Sequence, residues 1–158
     1  MNPLRVLIAD DEPLARETLR GLLALEEDID LAWEVADGSA AVDVIRDHAP
    51  DIAFLDVEMP GLDGFGVVRE VGPDAMPTTV FVTAYDQYAV KAFDVSAVDY
   101  LLKPFDDERF RKALGRARVD ARKRAEHPDD ALADRLNQIL QLPLTRCFDA
   151  LKAGRAEV

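Results

Sequence analysis

The chain has 158 residues, with 31 Asp and Glu against 19 Lys and Arg, and a formal net charge of −12. That length holds one ordinary domain with little left for a second, and 49% apolar residues supply a packed core rather than wholesale disorder. The acidity makes the whole molecule a poor binder of phosphate backbones, so no DNA binding is expected of this chain alone. The single cysteine, Cys147, excludes an internal disulfide framework and a multi-thiolate metal site. No apolar run reaches the length of a membrane span, and the N-terminus, MNPLRVLIADDE, lacks a signal-peptide layout, so no membrane contact and a cytoplasmic setting are expected.

In chain order, Leu4–Ala9 (LRVLIA) predicts a buried strand that ends in acids, and Pro13–Leu25 a helix opened by proline. Ile29–Ala36 predicts a second strand, and Ser39 caps a helix to about His48. Ile52–Asp56 (IAFLD) predicts a third strand, Met59–Gly64 a turn, and Phe65–Val71 a short helix closed by Gly72-Pro73. Thr79–Thr83 (TVFVT) is the fourth strand, Gln87–Asp94 a helix, and Asp99–Leu102 (DYLL) the fifth strand. Asp106 then caps a long basic helix to about Glu126. Residues 1–106 carry a net −15, whereas 107–126 carry a net +4. Apolar strands joined by helical connections predict an α/β fold: a doubly wound parallel five-stranded sheet, (βα)5, covered on both faces.

In such a sheet, ligands bind beyond the carboxyl ends of the strands. There the sequence puts Asp10, Asp11 and Glu12 after the first strand, Asp56 at the end of the third, Thr83 and Ala84 after the fourth, and Lys103-Pro104 after the fifth. Three aspartates converging on one crevice repel one another unless a hard divalent cation joins them, and few protein ligands supplemented by water suit Mg2+. A carboxylate beside Mg2+ and a lysine is a fair nucleophile for phosphorus. Thr83 offers a hydroxyl to a phosphoryl oxygen, and the small Ala84 leaves that group room.

The segments ADDE (9–12), FLDVEMPGLDGF (54–65), VTAYD (82–86) and DYLLKPF (99–105) resemble, in order and spacing, the receiver domains of two-component response regulators. The resemblance covers roughly residues 4–125 and implies a flavodoxin-like sheet of strand order 2-1-3-4-5. It implies that Asp56 is the phosphoacceptor, loaded from the phosphohistidine of a cognate histidine kinase. It also implies that Asp11, Asp56 and the backbone carbonyl of Glu58 hold Mg2+ directly, with Asp10 acting through water. By the same resemblance Thr83 is the switch hydroxyl, Lys103 the phosphoryl-binding cation, Tyr100 the aromatic switch, and Lys103–Pro104 a cis peptide. Such a domain is no turnover enzyme, but a phosphoacceptor with self-phosphotransfer and autodephosphorylation. Glu58 and Tyr85 flank the phosphoryl position, one adding charge and the other hindering water, and the phosphoryl lifetime stays open between them.

Phosphorylation is expected to switch the face built from the fourth helix, fifth strand and fifth helix and to favour a homodimer there, with Lys91, Asp99, Arg111 and Arg118 pairing across the two-fold axis. The stretch 83–105 resembles receivers of the LytTR class, whose output is a DNA-binding domain and hence transcription regulation. Residues 126–158 depart from that pattern, because they do not read as several strands. They read as a linker or partial helical tail with no output domain present, or as the docking helix of a stand-alone receiver acting by protein–protein contact. Cys147, His48 and His127 lack the partners that would give them chemistry. Three rivals remain. An aspartyl-nucleophile phosphatase wants Asp where Glu58 stands, a nucleotide or flavin binder wants a glycine-rich loop after the first strand, and a receiver-like module that only binds would not need the full acid set.

Overall fold

The computed structural model describes residues 2–88 and 97–126. The chain divides into two units, Met1–Ala121 and Arg122–Val158. The first carries the whole sheet. Of the second, only residues 122–126 are described, as helix, so the expected tail helix lies outside the described residues, as do most of the expected helix at 87–94 and Lys91.

Five strands, β1 (Leu4–Ala9), β2 (Ile29–Val35), β3 (Ile52–Asp56), β4 (Thr78–Thr83) and β5 (Asp99–Leu102), form one parallel sheet in the order β2-β1-β3-β4-β5. Helices α1 (Pro13–Leu23), α2 (Gly38–His48) and α3 (Gly64–Val71), with a long helix over Asp107–Glu126, connect or follow them. This is the (βα)-type doubly wound sandwich read from the sequence.

Each central strand feeds two cores because successive side chains point to opposite faces. Val6 and Ile8 of β1, with Phe54, Val80 and Leu101, pack beneath α1 and the long helix through Leu19, Leu23, Phe110 and Leu114. Leu7 and Ala9, with Ala53, Leu55 and Phe81, face α2 and α3 through Val42, Ile45, Phe65 and Val68. β3 and β4 are buried along their whole length, which explains their uninterrupted apolar runs. β2 differs: it is an edge strand whose residues alternate between half-buried and exposed, so IDLAWEV is a two-faced pattern rather than a buried run.

Local signals set the element ends. Pro13 opens α1 at its first turn. The cap of α2 is Asp37, whose carboxylate accepts from the Ala40 N–H at 2.8 Å; Ser39 is already inside the helix, so the expected cap moves two residues upstream. Asp63 caps α3 by accepting from the Gly66 N–H at 2.7 Å. Asp106 caps the long helix by accepting from the Arg109 N–H at 2.7 Å. A side chain at Gly64 would run into the Asp56 carbonyl and the Val57 backbone, so glycine there lets α3 start directly against the end of β3. At the start of the stretch expected as a helix over 87–94, Asp86–Tyr88 form a 3-10 turn.

Candidate phosphoryl-transfer site

All five strands run the same way, so their carboxyl ends meet at one rim. Asp10 follows β1, Asp56 closes β3, Thr83 closes β4 and Lys103 follows β5. Register pairs Asp56 with Val82 and Thr83 with Leu102, which levels these ends. The Lys103 N–H donates to the Thr83 carbonyl at 2.7 Å, carrying the β4–β5 pairing one residue past the strand ends. The Lys103–Pro104 peptide is cis, as expected.

Asp10, Asp11 and Asp56 bring one carboxylate oxygen each within 4.8 Å of one another. Asp10 and Asp56 are buried and Asp11 is exposed, so the cluster is rooted in the sheet and open at one side. The Lys103 ammonium lies 2.9 Å from Asp10 Oδ2 and 3.8 Å from Asp56 Oδ2. Asp10 Oδ2 nonetheless lacks an aligned hydrogen bond despite its burial: the ion pair offsets its charge without meeting its directional demand. A buried acceptor left in that condition, inside a cluster of hard oxygen donors, is what a divalent cation would satisfy. The residues therefore fit Mg2+.

Electrostatics point the same way. Burial pushes the Asp56 carboxyl up, the neighbouring Asp10 charge pushes it further, and the Lys103 charge and the Glu58 N–H only partly oppose this, leaving it near about 8. Burial pulls the Lys103 ammonium down, but its bond to Glu12, its close contact with Asp10 and the charges of Asp56 and Asp10 outweigh that and hold it above the ordinary lysine value. The pocket has more acid than its one lysine neutralises.

The remaining predicted residues take graded positions. Thr83 is fully buried, and its hydroxyl accepts from the Tyr85 N–H at 3.1 Å. Ala84 is exposed beside it, and Tyr85 is 46% exposed. The Glu58 N–H donates to Asp56 Oδ1 at 3.1 Å, placing that loop against the acid. Tyr100 is half-buried against the core on the α2–α3 face.

Two features went unread in the sequence. Glu12 Oε1 sits 2.7 Å from the Lys103 ammonium, closer than either aspartate; the acid after Asp10-Asp11 was the available signal. Arg16 donates from α1 to the Asp10 carbonyl at 2.7 Å, pinning the loop that carries the acids. A correction falls on the expected dimer pairs. Asp99 is 4% exposed and bound inside the chain by Arg109 at 2.7 and 3.0 Å and by Arg116 at 3.1 Å. Arg118 is bound to Asp28 and Glu26. Both are committed within the protomer, because the long helix swings its guanidinium groups onto β5 and onto the loop before β2. Of that set, Arg111 is exposed and, among the described residues, makes a loose 4.0 Å pair with Asp107.

Residues 6–115 match the response regulator receiver domain. The chain belongs to that family. It is 45% identical over 120 residues to the transcriptional regulatory protein BtsR of Salmonella typhi, an alignment covering 76% of this chain and 50% of BtsR. It is 48% identical over 113 residues to a response regulatory protein of Vibrio vulnificus, covering 72% and 47% respectively. The chain thus spans about half the length of the curated relatives it matches. Among solved structures, the response regulatory domain of mrkE from Klebsiella pneumoniae superposes with a TM-score of 0.70 at 29% identity, over 76% of this chain and 99% of that one. The receiver domain of AraT from Geobacillus stearothermophilus gives 0.69 at 31% identity, over 77% and 98%. The receiver fold and strand order expected from the sequence are those observed. No helix among the described residues is long and apolar enough to cross a membrane.

Proposed function

We propose that this receiver accepts a phosphoryl group on Asp56 from the phosphohistidine of a cognate histidine kinase. One observation carries the reading: Asp10, Asp11, Asp56 and Lys103 converge at the rim where Thr83 ends β4, and the acids there are under-neutralised. Asp11, Asp56 and the Glu58 carbonyl would hold Mg2+, with Asp10 acting through water, and the bound ion would supply the positive charge that the acids and the phosphoryl oxygens call for. The Asp56 carboxylate donates an electron pair to phosphorus, the P–N bond of the phosphohistidine breaks, and its pair returns to the imidazole. Lys103 balances the charge gathering on the phosphoryl oxygens. The chain is a phosphoacceptor rather than a turnover enzyme, with autodephosphorylation as its only hydrolysis, framed by Glu58 and Tyr85.

The switch follows from a change of partner. The Thr83 hydroxyl, which now accepts from Tyr85, turns to donate to the phosphoryl group, and Tyr100 fills the space this vacates. That biases the face comprising the segment after β4, β5 and the long helix towards a homodimer. A population shift of roughly a hundredfold asks for about 3 kcal/mol of differential stabilisation, within reach of two new charge-assisted bonds. We place the receiver at residues 1–125 and a linker at 126–158. The whole protein belongs, on this reading, to the LytTR class and controls transcription in the cytoplasm through a DNA-binding domain; the name of BtsR supports a transcriptional output.

The test is loading from acetyl phosphate. With Mg2+ the protein gains one phosphoryl group. Chelation with EDTA or the substitution Asp56→Asn abolishes the gain. Retained loading in Asp56→Asn defeats the assignment.

A further inference from the structure

The Lys103 ammonium has three protons to donate, and its two shortest contacts lead away from the phosphoacceptor. Glu12 Oε1 is at 2.7 Å and Asp10 Oδ2 at 2.9 Å, against 3.8 Å to Asp56 Oδ2. Glu12 is held for this role by its backbone, whose N–H donates to Asp10 Oδ1 at 2.9 Å, and by Pro13, which fixes the start of α1. Glu12 occupies the cap position of α1 yet makes no side-chain cap bond; its carboxylate serves the lysine instead of the helix. The pair joins the β1–α1 loop to the residue after β5, 91 positions away in sequence.

We propose that Glu12 is a positioning residue that holds Lys103 back from Asp56 in the unloaded receiver and so sets how readily the pocket is charged. The inference rests on the phosphoacceptor reading above. To neutralise a phosphoryl group on Asp56, the ammonium must turn from one of its two nearer partners. Asp10 is buried, so drawing the ammonium off it costs more than drawing it off an exposed acid. Glu12 is 61% exposed and returns to water at little cost. Glu12 is therefore the contact that is given up, and its strength becomes part of the barrier to loading.

An exposed ion pair of this kind corresponds to a roughly two- to fivefold change in rate. With Mg2+ and acetyl phosphate, Glu12→Gln is expected to load faster than the wild type by that factor. The acetyl C–O–P linkage breaks at phosphorus, its electron pair stays on the departing acetate, and Asp56 supplies the pair for the new bond. Glu17→Gln removes the same charge from an exposed site on α1, where Glu17 acts on Arg20. It is expected to load like the wild type.

A second readout needs no phosphoryl transfer. In the metal-free protein, the Lys103 ammonium hydrogens, followed by NMR, exchange with solvent faster in Glu12→Gln than in the wild type or Glu17→Gln. Unchanged or slower loading in Glu12→Gln, equal acceleration in Glu17→Gln, or unaltered ammonium exchange overturns the proposal. Failure of the wild type to load at all, with the exchange difference intact, would instead strike the phosphoacceptor reading.

Discussion

Asp56 and Asp99 are the same residue type, each 4% exposed and each at an end of a strand, Asp56 closing the central β3 and Asp99 opening the edge strand β5, but the chain treats their charges in opposite ways. Burial pushes the Asp99 carboxyl up, yet the paired bonds from Arg109, the Tyr100 N–H and the charges of Arg109 and Arg116 more than reverse this and hold it below the ordinary carboxylate range. Asp56 faces another carboxylate and a lysine shared with two other acids, and it is held above that range. Asp99 is a finished interaction: it clamps the long helix to β5, and Arg109 extends the clamp to the Tyr100 carbonyl at 2.7 Å. Asp56 is an unfinished one, and on the proposed reading that incompleteness is what would leave it available to a cation and a phosphoryl donor. Burial alone does not mark a functional acid; burial without enough counter-charge does.

The greatest loss should come from dismantling the finished interaction. Asp99→Ala strips two guanidinium groups of their acceptor. Breaking a fully buried pair costs about 3–5 kcal/mol, but Arg116 is 62% exposed and rehydrates, so we expect about 2 kcal/mol in urea unfolding. Arg116→Ala removes only the more exposed arm and should cost about 0.5 kcal/mol or less. Equal losses for the two variants would mean that Arg109 is not the main anchor.

A smaller effect, but one of opposite sign at the two sites, is expected in the pH dependence of stability without metal. The folded Asp56 value lies above the ordinary 3.8, so its contribution is complete below about pH 4 and is lost as pH rises towards about 8. The folded Asp99 value lies below 3.8, so its contribution is present above that pH and is lost as pH falls through the folded value. Asp56→Asn should therefore stabilise the metal-free protein at neutral pH, whereas Asp99→Asn should destabilise it there and flatten its acid limb. Unfolding midpoints measured from pH 3 to about 9 without metal check both signs. A loss of stability at neutral pH in Asp56→Asn would contradict the charge strain.

The sequence carried the fold well because the central strands are buried apolar runs with polar residues at their ends. Leu4–Ala9 and Ile52–Asp56, and the edge strand Asp99–Leu102, have the predicted bounds. It also carried the identities of the rim residues, since their strand-end positions put Asp10, Asp56, Thr83 and Lys103 together once the strands were known to be parallel. Side-chain choices between near-equal partners were not legible. Asp37 and Ser39 are both competent caps, and only backbone geometry selects Asp37. Asp99 and Arg118 read as pairing across a dimer axis because their partners within the chain, Arg109, Arg116, Asp28 and Glu26, depend on how the long helix lies on the sheet. The Glu12–Lys103 pair closes a gap of 91 residues, and no local spacing encodes it.

Whether the unfinished acid pocket takes up a cation and a phosphoryl group can be read by adding Mg2+ and beryllofluoride, a phosphoryl mimic, to the unmodified protein and following backbone amides by NMR. Large shifts are expected at Asp10, Asp11, Asp56, Thr83, Ala84 and Lys103 that require both additives and are absent in Asp56→Asn. Shifts that leave this rim untouched, or that persist in Asp56→Asn, would contradict the phosphoacceptor assignment.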